Sequence, residues 1–301
     1  MTSSEWVLET PPSQATARIK YGDDASHFGD LRLPDRRGLQ DRVGLLPVVV
    51  NIHGGFWRAQ YDLTHAGHLC QAITDLGFAT WNIEYRRIGN GGGYPNTFMD
   101  VVNAINHLQS IAPQYNLDLN RVIVMGHSAG GHLASWVGSR TSISVIPSDT
   151  STSLSAGARN LLDELRDSSS QRTLLGMTDR HFKLKAIISL AGVVDLRRAL
   201  ELGLSNNVVK DFLGGTPQEF PERYAESSPI ELLPCGTKQI LIHGEDDDIV
   251  PIEIAQRYYD AAKTKGDDVN LIPLKDVGHF EVIDPKSAAW KDVREAIEGC
   301  L

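Results

Sequence analysis

Short β-branched runs alternate along this chain with stretches of helical periodicity. The run at 46–52 (Leu-Pro-Val-Val-Val-Asn-Ile) is almost continuously apolar, the pattern of a strand covered on both faces. Segments 79–85, 122–125, 186–190, 239–242 and 269–274 have the same character. Between them, 66–76, 96–111, 129–137, 252–265 and 285–297 read as helices. In the second of these, Phe98, Val101, Val102, Ile105 and Leu108 fall on one stripe. Strand followed by helix, repeated, predicts an α/β architecture: a mostly parallel sheet with helices on its faces. Residues 15–33, with Arg18-Ile19-Lys20-Tyr21 and Leu31-Arg32-Leu33, add a leading antiparallel pair, for about eight strands in all.

Two stretches break this rhythm. Within 139–155, ten of seventeen residues are Ser or Thr, followed by a helical piece at 158–167 and a serine-rich turn at 168–170. Residues 139–182 therefore read as an insertion over the sheet edge, and the irregular 202–234 as a second cap or lid segment. Loops this long are commonly functional or mobile. Neither carries a core of its own, so 1–301 is expected to be one domain.

Composition narrows the partners. With 29 Lys+Arg against 38 Asp+Glu the net charge is −9, which disfavours nucleic acid or an anionic membrane surface. No apolar run approaches the roughly 20 residues of a membrane span. The first twelve residues lack a basic segment followed by an apolar core, so a cytoplasmic location is expected. Cys70, Cys235 and Cys300 show neither paired spacing nor a nearby histidine pattern, and read as buried thiols. His65 and His68 stand three apart without a third ligand; a helix surface is the simpler reading, and no metal or cofactor is expected.

Three signals carry chemistry. Gly126-His127-Ser128-Ala129-Gly130 follows the strand at 122–125 and precedes a helix. A serine on so sharp a strand-to-helix turn needs small neighbours, and the helix that follows points its free N–H groups at the site. A plain N-cap serine is the competing reading. His53-Gly54-Gly55-Phe56-Trp57 follows the strand at 46–52; paired glycines let backbone N–H groups approach an oxygen closely. A phosphate loop would need Gly-Lys-Ser/Thr or G-x-G-x-x-G, and neither is present. Last come His243-Gly244-Glu245-Asp246-Asp247-Asp248-Ile249-Val250-Pro251 and Gly278-His279-Phe280, each after a strand, where open α/β sheets build their sites. Alone, these acids and His279 could be surface-loop residues. The order Ser, Asp, His is that of α/β-hydrolases, although three consecutive acids leave the acid's identity open.

From about Ala15 onward the chain resembles an α/β-hydrolase of the esterase/lipase group. Where the hormone-sensitive-lipase group has a third glycine, this chain has Phe56. His-Gly-Gly-x-Trp is similar to kynurenine formamidases (arylformamidases) and their bacterial esterase relatives, as are Gly126 to His132 and Gly278-His279-Phe280-Glu281-Val282-Ile283-Asp284. The resemblance implies Ser128 as nucleophile, His279 as base and Asp247 as orienting acid, the last by alignment with His-Gly-x-x-Asp-x-x-Val-Pro. The N–H groups of Gly55, Phe56 and Ala129 would form the oxyanion hole. Trp57, Tyr85 and Tyr94 follow strand ends or glycine turns and are candidates for an apolar substrate pocket or for the core. His127 and His132 read as packing residues. The expected activity is hydrolysis of small carboxylic esters, with aryl-formamide hydrolysis as the alternative and a non-catalytic binding module as a third reading.

Overall fold

The computed structural model describes residues 4–35, 44–140 and 182–301. Most of the expected insertion at 139–182, including the helical piece at 158–167, lies outside the described residues. In chain order the elements are α1 (Trp6–Glu9), β1 (Ala17–Lys20), β2 (Phe28–Arg32), β3 (Leu46–Ile52), α2 (Gly67–Asp75), β4 (Ala79–Ile83), α3 (Asn96–Asn106), α4 (Leu108–Tyr115), β5 (Leu117–His127) and α5 (Ala129–Arg140). Then follow β6 (Leu184–Leu190), α6 (Leu196–Glu201), α7 (Leu204–Leu213), α8 (Pro221–Ser227), β7 (Gln239–Gly244), α9 (Glu253–Thr264), β8 (Val269–Leu274) and α10 (Trp290–Glu298). The strands form one 8-stranded sheet in the order β1-β2-β4-β3-β5-β6-β7-β8. β1 pairs antiparallel with β2, and β2 with β4. Every pairing from β4 through β3 to β8 is parallel.

Successive side chains on a strand point to opposite faces, and here each face has its own core. Val48, Val50, Ile52, Val122, Val124, Ile187 and Leu241 join one cluster with α3, α5 and α9. Val49, Ile123, Met125, Ala186, Ile188, Ile240 and Ile242 join the other, with Leu69 and Ile73 of α2 and Val293 and Ile297 of α10. Double coverage is why these strands read as unbroken apolar runs.

Two helices differ from expectation. The single helix predicted over 96–111 is two, α3 and α4, meeting at His107. The buried stripe runs from Ile105 to Leu108 across the break, so periodicity does not register it. The helix predicted from 285 starts at Trp290, because the Asp284 carboxylate accepts the Lys286 N–H at 2.8 Å and holds the chain in an Asx turn. Within 202–234, read as irregular, the chain forms α7 and α8, and α7 opens with left-handed Ser205, Asn206 and Asn207. This segment is sewn to α5 by bonds from the Trp136 indole N–H to the Glu226 carbonyl at 2.8 Å and from His132 Nε2 to the Ser227 carbonyl at 2.9 Å. Among the described residues no helix is long and apolar enough to cross a membrane. Cys70, Cys235 and Cys300 are buried.

Candidate active site

Parallel pairing of β3 with β5, and of β5 through β6 to β7 and β8, brings the ends of these strands to one edge of the sheet. Ile52 stands beside Gly126, and Gly244 beside Leu274. Ser128 sits just past β5 with φ 55°, a left-handed conformation that costs about 1–3 kcal/mol in a non-glycine residue. Its N–H donates to the Leu190 carbonyl at 2.8 Å, and its carbonyl accepts the His132 N–H at 3.1 Å. Such a turn needs bare neighbours. A Cβ at Gly126 would stand 2.2 Å from the Gly130 carbonyl oxygen, and one at Gly130 only 1.9 Å from that of Ile52.

The loop after β3 is left-handed at Gly55 (φ 110°), Phe56 (φ 49°) and Trp57 (φ 55°). Among the described residues no acceptor takes the N–H of Gly55 or Phe56. Ala129 opens α5, so its N–H has no partner within the helix. Beneath the loop, His53 is fully buried; its Nδ1 donates to the Gly54 carbonyl at 2.8 Å and its Nε2 to Glu84 Oε1 at 3.0 Å. Glu84 also accepts the Tyr85 N–H at 2.7 Å, the Leu63 N–H at 3.1 Å and Arg87 Nη1 at 2.8 Å. Burial alone would raise the Glu84 carboxyl, but His53, Arg87 and these donors hold it below the ordinary range.

The pocket expectation needs correction. Trp57 is fully buried, stacked on Phe212 with centroids 4.5 Å apart. Tyr85 is also fully buried; its hydroxyl donates to the His53 carbonyl at 2.8 Å and its ring stacks on His53 at 4.5 Å. Tyr94 is half-buried and donates to Glu226 Oε2 at 3.0 Å. None of the three borders the cavity at Ser128. Their position after strand ends reflects packing that anchors the β3 loop and the neighbouring helices.

Of the three consecutive acids, Asp246 and Asp248 are exposed and Asp247 is buried. Asp247 Oδ2 accepts His279 Nδ1 at 2.7 Å and has His243 Nε2 at 3.3 Å. Its Oδ1 accepts the N–H groups of Ile249 at 3.0 Å and Val250 at 2.8 Å. Burial opposes ionisation, yet the bonds from His243 and His279, the His279 charge and the Val250 N–H outweigh it and hold the carboxyl far below the usual range. The β7 and β8 loops are clamped by the Asp246 N–H on the Val277 carbonyl at 3.0 Å. With Nδ1 committed to Asp247, Nε2 is the ring nitrogen of His279 left for proton transfer.

Ser128 and His279 border one cavity of about 80 Å³, with Leu8, Gly55, Phe56, Tyr61, His65, His127, Ile249 and Phe280. The sequence reading missed several of these. His65 is buried and not on a helix surface; burial first, then the charge of His53, lowers it to about 4. His127 packs its ring 4.5 Å from that of His279 and donates from Nε2 to the His279 carbonyl at 2.9 Å. Burial and then the nearby His279 charge push His127 well below its ordinary value. It is therefore a neutral strut, as its place beside the glycine turn suggested. Glu84, Leu8 and Tyr61 had no local motif to mark them.

Comparisons with known proteins bear on the fold and the family. The chain is similar to "Probable carboxylic ester hydrolase LipM" of Mycobacterium tuberculosis, 24% identical over 252 residues that cover 80% of this chain and 50% of the relative. It is also similar to "Esterase LipC" of the same organism, 24% identical over 273 residues covering 89% and 60%. The chain thus spans about half the length of the curated relatives it matches. Among solved structures, esterase B from Lactobacillus rhamnosis superposes with TM-score 0.74 at 18% identity, covering 99% of this chain and 89% of that one. The fold is the α/β-hydrolase fold. The pattern that defines the BD-FAE family matches residues 39–261, a span that takes in the glycine loop, the serine turn and Asp247 and makes up most of the molecule. On that match the chain belongs to the BD-FAE family.

Proposed function

We propose that the protein is a serine hydrolase of small carboxylic esters, with Ser128, His279 and Asp247 as its catalytic triad. The observation that carries this reading is the 2.7 Å bond from His279 Nδ1 to buried Asp247, with His279 and Ser128 on the same cavity. A serine hydroxyl is a weak nucleophile until a base removes its proton. His279 Nε2 takes that proton as Ser128 Oγ attacks the ester carbonyl carbon. The carbonyl π electrons move onto oxygen, which accepts bonds from the N–H groups of Gly55, Phe56 and Ala129. Collapse expels the alcohol, protonated by His279, and leaves an acyl-Ser128. Water, deprotonated by the same nitrogen, then attacks the acyl carbon and releases the acid. Asp247 fixes the imidazole tautomer and stabilises the imidazolium without taking its proton. Each oxyanion donor contributes about 2.7–4 kcal/mol to such a transition state.

Esters are favoured over aryl formamides by the names of the relatives. The Trp57 that brings the formamidase motif to mind lies in the core and so bears on loop anchoring, not on what is cleaved. Ser128→Ala is expected to abolish hydrolysis of p-nitrophenyl butyrate and labelling by a fluorophosphonate, with circular dichroism and melting unchanged. Near-wild-type turnover in that variant refutes the triad. Turnover of N-formylkynurenine far above that of every ester tested reverses the choice of substrate.

A further inference from the structure

We infer that the arm preceding β1 is part of the substrate site, and that Leu8 on it sets the size of group the cavity accepts. This rests on the esterase reading and adds its specificity-determining element. The arm is pinned on both sides of Leu8. Ser4 Oγ and the Trp6 indole N–H both donate to Asp284 Oδ2, at 2.7 and 2.9 Å. The Trp6 ring lies 4.5 Å from His68 and under Lys286 Nζ at 3.7 Å. Val7 is buried in the core that includes Val282 and Ile283. Beyond Leu8, the Thr10 carbonyl accepts His68 Nε2 at 2.8 Å. Asp284 lies five positions after His279, so the arm is fastened to the loop that carries the candidate base.

Within this pinned turn Val7 is buried and Leu8 is not. It is 40% exposed and borders the cavity over Ser128. Among the described residues the exposed large apolar side chains are Leu8, Leu45, Tyr61 and Leu301, and two of these, Leu8 and Tyr61, lie on this one small cavity. Apolar surface left uncovered beside a reactive serine marks the place where an apolar substrate group is desolvated. At about 80 Å³ the space is roughly half that of a 150 Å³ cavity able to hold benzene. It suits acetyl to butyryl chains, and Leu8 forms the wall that longer chains meet.

The test is the ratio of kcat/KM for p-nitrophenyl octanoate to that for p-nitrophenyl acetate. Leu8→Ala is expected to raise it about tenfold, the lower end of what one methylene is worth in a pocket, and Leu8→Trp to lower it while acetate is still cleaved. Trp6→Phe, which removes one bond to Asp284, is expected to shift the ratio in the direction of Leu8→Ala by a smaller factor. A wild-type chain that cleaves esters, with all three folded variants keeping its ratio within about twofold, overturns the role of Leu8 and leaves the triad standing. A wild-type chain unreactive toward both esters and fluorophosphonate brings down the esterase reading and this inference together.

Discussion

Asp247 is separated from its two acidic neighbours by what it touches. Asp246 and Asp248 face solvent, whereas the Asp247 carboxylate accepts three donors, including His279, and has His243 Nε2 at 3.3 Å. Asp247→Asn keeps the shape but offers an amide where the imidazole N–H needs an acceptor, and so favours the wrong tautomer. The expected loss is about 10⁴-fold in kcat, read with p-nitrophenyl butyrate. Asp246→Asn and Asp248→Asn are expected to stay close to wild type. If either neighbour proves as sensitive as Asp247, the assignment of the acid fails. His243, which opens the same motif, is part of this arrangement: its Nε2 donates to the Val250 carbonyl at 2.7 Å and faces the carboxylate from behind.

Between elements, the decisive contact is the approach of α5 to the end of β3. Gly130, in the first turn of α5, lies against the Ile52 and His53 carbonyls, with a Cβ position 1.9 and 2.6 Å from their oxygens. Backbone atoms on both sides cannot swing away as a side chain would. Gly130→Ala is therefore expected to cost about 3 kcal/mol of stability, measured by the urea midpoint. Gly44→Ala, where nothing among the described residues lies within 4 Å, serves as the control and is expected to change stability by about 0.5 kcal/mol or less. Similar midpoints for the two variants contradict the tight approach. The same contact sets Ser128 beside the β3 loop, so stability and site geometry share this residue.

Across the whole molecule, acid is expected to unfold the chain before carboxylates alone would require it. Burial, and for His65 the neighbouring His53 charge, lowers His65 and His132 from 6.5 to about 4, and burial also pushes His127 well below its ordinary value. Groups kept neutral in the fold take up protons more readily when unfolded, so stability is fully present above pH 6.5 and drains away as pH falls toward 4. Asp247, held low in the fold, adds a second loss once pH drops through the ordinary carboxylate value of 3.8. A few kcal/mol in all is a large share of a net stability of about 5–15 kcal/mol. Urea midpoints at pH 7.5, 6 and 5 should fall in that order, and His132→Gln should flatten the decline; a flat wild-type profile contradicts it.

How much of this was legible in the sequence depends on distance along the chain. The doubly covered strands were visible because the two cores between them demand apolar residues at Val48, Val49, Val50 and Ile52. The serine turn and the glycine loop were visible because close backbone approach admits few residue types. The pairing of Asp247 with His279 depends on β7 and β8 being neighbours, and only the strand order supplies that. Trp57 and Tyr85 were placed between pocket and core because an aromatic residue after a strand looks the same in either setting; Phe212 and His53 decide it. Leu8 carries no motif, and its importance exists only once Asp284 has drawn the arm across the cavity.

Phe56 and Trp57 are held in left-handed backbone by stacking on Phe212 and by the His53–Glu84–Arg87 network, all of it outside the cavity. Under the proposed mechanism, reorganisation around a developing negative charge is thereby completed once per molecule, during folding, and not once per turnover. Among the described residues the side chains of Leu8, Tyr61 and Ile249 make no hydrogen bond within that framework, which Tyr61 joins through its backbone carbonyl, an acceptor for Arg87 Nη1. Selection for new substrates is thus free to vary the rim while the anion-stabilising backbone stays as it is, a division of labour between recognition and reactivity within one small cleft.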